Sequence, residues 1–197
     1  FSDTAVTSRR IVVSAESGRV IEIDPETGDS RRIAQLPMPL RVQVGVGDSD
    51  SRPQYYQVGE HSNLYVLSQD TLECQEVFYL GQRAGGVATS PTMLAGYLFV
   101  ADNAGADYSL LHVIATNASG LSLERAQNPI RLQGHVVVPP LVFGRRLLVA
   151  TEGGVWSVTI RARQRALTAT VDRSFDGSAL RSPLAGPLSR PPRGSDR

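Results

Sequence analysis

The feature that most constrains the fold is an internal repeat of about 44 residues. Residues 11–33 align with residues 55–77 without any gap. The matched positions carry identical or similar side chains: Glu16 and Glu60, Val20 and Leu64, Ile23 and Leu67, Thr27 and Thr71. Both segments have the pattern of a strand, a tight turn, a strand, a wider turn and a third strand. A chain of 197 residues can hold several such units and bury a core between them.

A second pair of segments extends the repeat along the rest of the chain. Residues 89–96 match residues 137–144, and each segment is followed by an apolar run that ends in Val-Ala. The equivalent strands begin at intervals of 44, 43 and 49 residues, at Ile11, Tyr55, Leu98 and Leu147. This period is typical of four-stranded propeller blades, which are about 40 to 50 residues long. The sequence therefore predicts an all-β propeller or partial propeller, with about four blades of four antiparallel strands.

The local sequence also favours strands joined by short turns. Val, Ile, Leu, Tyr and Phe are grouped in short runs, which suits strands that are packed on both faces. The predicted tight turns are residues 16–18, 60–63 and 152–154, with Gly or Asn where a positive φ is needed. No segment has a sustained apolar period of 3.6 residues, so helices should be scarce. The predicted propeller region is 1–180, and its repeats lie near 9–36, 40–80, 87–134 and 137–176.

Two motifs resemble the repeat of the pyrroloquinoline-quinone-type propellers. The first has an apolar residue, Pro, three residues and Gly before the apolar run, and it occurs in Thr89–Asp102 and Val137–Val158. The second has two apolar residues separated by one residue and followed by Asp-x-x-Thr-Gly, and it occurs in Arg19–Gly28. The resemblance implies either a quinone-dependent dehydrogenase or one of the family's non-enzymatic scaffolds. It also implies a bacterial protein in an extracytoplasmic compartment, periplasmic or at the cell surface.

The tryptophan content bears on the choice between these two classes. The family usually places a Trp shortly after the Thr-Gly, where this chain has Arg32 or Ile33. Resemblance to a dehydrogenase would require acidic calcium ligands and a tryptophan stacked over the quinone. The single tryptophan, Trp156, lies in a predicted blade strand instead. We therefore expect no cofactor and a non-catalytic scaffold or binding module, and a dehydrogenase fragment is the alternative.

The composition excludes several classes of enzyme. All 20 basic residues are arginine, and without lysine the chain lacks a residue that P-loop, Schiff-base and kinase sites require. The single cysteine, Cys74, excludes an internal disulfide. Its neighbours Glu73 and Glu76 predict a raised thiol pKa and an unreactive sulfur. No Gly-x-Ser-x-Gly motif or dinucleotide-type glycine loop is present. We therefore predict no catalytic residues.

The histidines and the acidic loops lack the spacing of metal sites. His61, His112 and His135 are separated by 51 and 23 residues, and we expect each to be hydrogen-bonded or solvated rather than a zinc ligand. Residues 102–107 and 48–50 carry side-chain oxygens without the spacing of a calcium loop. We interpret them as a polar hairpin tip and a turn. No metal site is predicted.

Charge is distributed unevenly along the chain. Residues 145–197 carry a net charge of +6, and residues 1–144 carry a net charge of −5. Arg161, Arg163 and Arg165 alternate in sequence, so on a strand they would share one face. They form either a patch for an anionic partner, such as a protein or an anionic glycan, or a solvated outer strand whose charge prevents edge-to-edge pairing. Nucleic acid is not expected, because no aromatic residues alternate with these arginines.

The C-terminal residues leave two architectures open. Residues 181–197 are rich in Pro and Arg and are either a tail or the start of a further blade, since Arg181–Leu184 resemble Ser90–Met93. Four blades could close a small ring or form an arc of a larger one, and this resemblance favours the arc. The apolar faces at the ends of an arc would be covered by the rest of a longer chain or by oligomerisation. No run of about 20 apolar residues predicts a membrane span.

Overall fold

A computed structural model describes residues 3–7, 10–47, 54–81, 83–117, 122–163 and 166–176. Side chains are described for 10–47, 54–81, 83–117 and 122–160. The described residues form strands, turns and connecting loops, as the sequence predicts. Among them, no helix is long and apolar enough to cross a membrane.

The strands form four antiparallel sheets, which we number as blades 1 to 4. Blade 1 contains β1 (Asp3–Thr7), β2 (Arg10–Ser14), β3 (Arg19–Ile23) and β4 (Ser30–Gln35). Blade 2 contains β5 (Gly45–Val46), β6 (Gln54–Val58), β7 (Asn63–Ser68) and β8 (Cys74–Tyr79). Blade 3 contains β9 (Thr92–Leu94), β10 (Tyr97–Asp102), β11 (Tyr108–Thr116), β12 (Leu123–Arg125) and β13 (Ile130–Gln133). Blade 4 contains β14 (Leu141–Phe143), β15 (Arg146–Thr151), β16 (Gly154–Arg163) and β17 (Ala166–Asp176).

Each blade is a meander in which successive strands pair antiparallel. Blade 3 is the exception to the four-strand rule, because β12 and β13 both pair with β11 and share the outer position. The four repeat positions found in the sequence lie in the second strand of successive blades: Ile11 in β2, Tyr55 in β6, Leu98 in β10 and Leu147 in β15. The repeat in the sequence is thus a repeat of whole sheets.

The core consists of three hydrophobic clusters, each between two successive blades. Val12 and Val20 of blade 1 pack with Tyr55 and Leu67 of blade 2. A second cluster joins blades 2 and 3, and a third joins blades 3 and 4. Since side chains alternate between the two faces of a strand, each inner blade presents one face to each neighbour. Burial between flat sheets therefore supplies most of the stability, as in other stacked repeats.

Strand direction determines at which end of the blades each turn and each connecting segment lies. In an antiparallel meander, the turn between the second and third strands lies at the same end as the connection to the next blade. We call this end the upper face, and the opposite end the lower face. The upper face contains residues 15–18, 36–44, 59–62, 80–81, 83–91, 103–107, 134–140 and 152–153. The lower face includes residues 24–29 and 69–73.

Two positions with a positive φ differ from the sequence prediction. In the 60–63 turn the left-handed residue is Ser62, with φ of 59°, rather than Asn63. Leu72, also at 59°, occupies the repeat position that Gly28 holds in blade 1. Both residues are at most 2% exposed, and Ser62 Oγ donates to the carbonyl of Arg83 at 3.0 Å. Tertiary contacts thus stabilise a backbone conformation that costs a non-glycine residue about 1–2 kcal/mol.

A buried carboxylate with two arginines joins blade 1 to blade 2. Glu22 is 1% exposed, and its Oε2 lies 3.4 Å from Arg32 Nη1 and 3.7 Å from Arg10 Nη1. Both arginines also donate to the carbonyl of Gln69, in the lower turn of blade 2. The pKa of Tyr55 is raised, first by burial and then by the negative charge of Glu22. The network therefore places a carboxyl group and two guanidinium groups inside the interface between the two blades.

A buried amide joins the same blades nearer the upper face. Gln57 is fully buried, and its Nε2 donates to the carbonyls of Val42 and Val58, both at 3.0 Å. Its Oε1 accepts a hydrogen bond from Ser14 Oγ at 2.5 Å. Because these partners belong to blade 1, blade 2 and the loop between them, the amide fixes their relative position.

Burial of Tyr56 gives the fold a predictable response to alkali. Desolvation raises the pKa of Tyr56 from 10 to about 12. The folded state therefore keeps this proton when the unfolded chain has begun to lose it, and the free energy of unfolding falls as pH rises from 10 to 12. We expect Tyr56→Phe to reduce this fall, as measured by urea unfolding at pH 9 to 12. Tyr79→Phe, at a 70% exposed position, should keep the wild-type slope. An unchanged slope in Tyr56→Phe would contradict the assignment.

Candidate binding groove

Three open grooves lie on the upper face. The first has a volume of about 240 Å³ and is lined by residues before β5, in the β6–β7 turn and before β9, including Arg41 and Glu60. The second, of about 450 Å³, lies between the β2–β3 turn and residues 35–39. The third, of about 350 Å³, lies between blades 3 and 4. Connections on one end of a rigid repeat scaffold are the usual place for binding sites.

The third groove differs from the other two in its side chains. It is lined by Asp107, Tyr108, Arg131, Gln133 and Trp156, whereas no aromatic residue lines either of the others. Trp, Tyr and Arg are the residues that most often dominate the binding energy of protein interfaces. The third groove is therefore the candidate site.

Cross-strand pairing places the aromatic and basic groups of the groove side by side. Tyr108 and Gln133 are directly opposite in the β11–β13 ladder, and Arg131 lies two residues along. The guanidinium carbon of Arg131 is 4.0 Å from the centre of the Tyr108 ring, a cation–π contact. Arg131 remains exposed, so its outward N–H groups can still donate to a ligand.

A glycine next to the Tyr108 ring leaves room for that ring in the groove. A Cβ on Gly105 would lie 2.0 Å from the ring of Tyr108, so only glycine fits beside that ring.

Trp156 comes from β16, and its Nε1 donates to Thr151 Oγ1 at 3.3 Å. The same hydroxyl donates to the carbonyl of Gln133 at 2.7 Å. The indole is therefore connected through one threonine to the opposite wall of the groove.

Hydrogen bonds of Asn103 connect the β10–β11 turn to the segment that leads from blade 3 to blade 4. Asn103 Oδ1 accepts from the N–H of Val136 at 2.9 Å, and its Nδ2 donates to the carbonyl of Val136 at 3.2 Å. Ser109 Oγ lies 2.8 Å from both Asn103 Oδ1 and the carbonyl oxygen of Gly134, and its single hydroxyl hydrogen is shared between these two acceptors. These bonds hold the β10–β11 turn against the connection to blade 4. The groove is accordingly pre-formed, which reduces the entropy cost of binding.

Charges at the rim of the groove are mixed. Asp107 is exposed beside the Arg131–Tyr108 pair. His135 lies nearby, with Nε2 2.7 Å from the carbonyl of Gly105 and Nδ1 3.7 Å from a carboxylate oxygen of Glu152. A groove with one basic and several acidic or polar groups around aromatic rings suits a polar peptide segment better than a strongly anionic polymer.

The backbones of two arginines of the predicted patch lie at the end of blade 4 opposite to this groove. Arg161 and Arg163 lie at the lower end of β16, where their backbones pair with Thr168 and Ala166 of β17. Arg165 lies outside the described residues, and the side chains of the other two are also outside the described part. The patch stays a prediction.

The three histidines are far apart along the blades, and one differs from expectation. His112 is 5% exposed in β11, and neither ring nitrogen hydrogen-bonds to a described protein atom; Asp102 Oδ2 lies 3.9 Å from Nε2. The sequence predicts a hydrogen-bonded or solvated ring, which is wrong for this residue. The side chain lies instead on the packed face between blades 2 and 3. Within the described residues, no group of three His, Cys, Asp or Glu is placed to hold a metal ion.

The pKa of the Cys74 thiol is raised, in the direction the sequence predicts but for a different reason. The cause is loss of water around the sulfur, and a hydrogen bond with the backbone of Glu76 lowers the pKa in opposition. The neighbouring carboxylates are not the source of the shift. A raised pKa keeps the thiol protonated and weakly nucleophilic near neutral pH.

The residues of the groove come from three strands, and this explains why sequence patterns do not reveal them. Tyr108 and Arg131 are brought together by the β11–β13 ladder, which exists because the outer position of blade 3 is divided between two short strands. The one available signal is Gly105, a small residue just before Tyr108 in a predicted turn. Trp156 is visible in the sequence, but its position in the groove depends on how blade 4 packs on blade 3.

Comparison with known proteins supports the fold. No family model and no curated protein matches the chain. Solved structures that resemble it include BamB from Moraxella catarrhalis, with a TM-score of 0.60 and 13% identity over 90% of this chain and 61% of that one. Another is the WD40 domain of Toxoplasma gondii coronin, with a TM-score of 0.61 and 11% identity over 88% of this chain and 44% of that one.

These similarities concern architecture. The chain spans about three fifths of the BamB structure and less than half of the coronin structure. At 13% and 11% identity, the likeness shows the fold alone. Together with the four antiparallel sheets and the repeat, it confirms the predicted fold class: the described residues have the β-propeller fold.

Proposed function

We propose that the chain is a non-catalytic binding module of the β-propeller type, and that it binds a protein partner through the groove between blades 3 and 4. The observation that carries this proposal is the Arg131 guanidinium stacked on Tyr108 beside Trp156. A rigid aromatic surface with free guanidinium donors gives contact area and hydrogen bonds at low entropy cost. The resemblance to quinone-type propellers supports an extracytoplasmic location for this module.

The alternative, a fragment of a quinone-dependent dehydrogenase, fits the described residues less well. Such a site would need acidic calcium ligands close to a tryptophan that stacks on the quinone. Trp156 donates to Thr151 and has Asp107 as the acidic residue of its groove. A single carboxylate does not make a calcium site, which takes six to eight oxygen ligands. These residues do not fit the quinone and its calcium ion, and we derive no catalytic step.

The proposal can be tested by selecting peptides from a random displayed library on the whole chain. Arg131→Ala should weaken the selected peptides by about thirtyfold or more, because truncation of a central arginine commonly costs this much. The matched control is Arg41→Ala, since Arg41 is a 60% exposed upper-face arginine that lies 3.2 Å from Glu60 in the first groove. Its affinity should change by less than about twofold.

Two results would overturn the proposal. One is a set of selected peptides that bind Arg131→Ala as tightly as the wild type. The other is a loss caused by Arg41→Ala, which would transfer the site to the first groove. Thermal unfolding of both variants separates loss of binding from loss of fold, since both arginines are exposed.

A further inference from the structure

Each blade has two faces, and successive blades pack on one another through opposite faces. We call the face that packs on the following blade the front, and the face that packs on the preceding blade the back. The three hydrophobic clusters bury the fronts of blades 1 to 3 and the backs of blades 2 to 4. Among the described side chains, no cluster joins blade 4 to blade 1. Within the part of the chain whose side chains are described, the back of blade 1 and the front of blade 4 therefore have no blade packed on them.

The back of blade 1 has the composition of a face that receives another blade. The gapless offset of 44 residues pairs it with the back of blade 2: Ile11 with Tyr55, Ile21 with Tyr65, Ile23 with Leu67 and Ile33 with Val77. In blade 2, Tyr55, Tyr65 and Leu67 are at most 4% exposed, because blade 1 covers them. In blade 1, Ile33 is 57% exposed. Four isoleucines on one sheet face indicate an interface rather than a solvated surface.

The front of blade 4 is also apolar. The strand register places Leu141 opposite Leu148 and Phe143 opposite Arg146. Leu141 is 63% exposed and Phe143 is 72% exposed. In blade 3 the residue equivalent to Leu148 is Phe99, which is fully buried against blade 4. The same repeat position is thus fully buried where a neighbour follows and only partly buried at Leu148, where none does.

The two faces are complementary in charge at their lower ends. Between blades 1 and 2, Arg10 at the start of β2 donates to the lower turn of blade 2 at Gln69. Arg146 holds the equivalent position at the start of β15, and with Arg145 it is exposed. The equivalent lower turn of blade 1 is residues 24–29, in which Glu26 and Asp29 are exposed acids, whereas the carboxylate of Asp24 is already paired with Arg31. A blade 4 front packed on a blade 1 back would bring these arginines to that acidic turn.

From these faces we infer that two copies of the chain pack head to tail, with the front of blade 4 of each copy on the back of blade 1 of the other. The described residues of each copy form four blades, so two copies make an eight-bladed ring, which lies within the usual range of propellers. A head-to-tail contact that closes after two copies leaves no open face. Residues 177–197, which include the predicted tail or start of a further blade, lie outside the described part of the chain.

Light scattering on the whole chain tests this arrangement. We expect a mass of about twice 21.2 kDa at micromolar concentration. Phe143→Glu should raise the dissociation constant by about thirtyfold or more, because it places a charge in the centre of the apolar contact. Tyr79→Glu is the matched control, since Tyr79 is 70% exposed on the outer strand of blade 2, and it should leave the mass unchanged. Both positions are exposed, so both variants should fold, as circular dichroism would verify.

A charge exchange tests the orientation of the two copies. Arg145→Glu with Arg146→Glu in one sample, and Glu26→Arg with Asp29→Arg in another, should each weaken self-association through like-charge contacts. Mixed in equal amounts, the two samples should recover dimers, because both contacts of the mixed ring then pair opposite charges.

Several results would overturn the inference. A monomer of 21.2 kDa would mean that no second copy covers these faces, whether another partner or residues 177–197 cover them instead. An open series of larger assemblies would contradict the closed pair of copies. A dimer that is unaffected by Phe143→Glu, or a mixture that stays monomeric, would place the contact elsewhere. None of these results depends on Arg131 or on the peptide-binding groove.

Discussion

The double substitution Arg10→Met and Arg32→Met is expected to lower the free energy of unfolding by about 3–5 kcal/mol. The double variant keeps Glu22, which is 1% exposed, but removes both positive charges within 4 Å of it. A buried carboxylate without a partner must be folded at a large desolvation cost. Each single variant should lose less, since the other arginine still faces Glu22.

The triple variant distinguishes charge from packing. Adding Glu22→Met to the Arg10→Met and Arg32→Met changes should recover most of the loss, because a buried ion network replaced entirely by apolar side chains is often neutral in stability. Urea unfolding followed by circular dichroism measures all the variants. A double variant within about 1 kcal/mol of the wild type would mean that Glu22 is not confined between the blades as described.

Gln57→Leu is expected to lower the free energy of unfolding by about 2–3 kcal/mol. Leucine fills a similar volume but leaves the carbonyl of Val42 and the hydroxyl of Ser14 without the hydrogen bonds that Gln57 makes. The cost arises from buried polar groups that lose their partner, rather than from the lost amide itself. Chemical unfolding at neutral pH is again the measurement.

The control for Gln57→Leu removes one of the groups left behind. Ser14→Ala in the Gln57→Leu background should recover part of the loss, since the alanine has no hydroxyl to satisfy. If Gln57→Leu alone were as stable as the wild type, the amide would not connect the two blades. If the double variant were worse than the sum of the single variants, packing rather than hydrogen bonding would dominate the site.

The repeat in the sequence predicts the sheets because it reflects backbone requirements that recur in every blade. Val20 and Leu64 are equivalent in sequence and are both fully buried on the front of their blades. Turns are predicted less well, because Leu72 takes a left-handed conformation that the equivalent Gly28 adopts without strain. At Leu72 the burial of a large side chain against blade 1 outweighs the local preference.

Contacts between blades are the part of the structure that the sequence does not predict. Glu22 has the sequence context of an exposed strand residue, yet it is buried because arginines on two neighbouring strands surround it. His112 is the opposite case, a polar ring packed without a hydrogen bond. The groove of Tyr108 and Arg131 likewise depends on pairing between strands that are distant in sequence. Such sites are visible only once the register of the sheets is known.

The emission of Trp156 tests the proposed function most directly, because it is the only tryptophan in the chain and it lines the groove. We expect that a peptide selected on the whole chain changes this emission saturably, and that pyrroloquinoline quinone with calcium does not. Saturable, stoichiometric quenching by the quinone and calcium, with no response to the peptide, would contradict the binding-module proposal and support the dehydrogenase alternative.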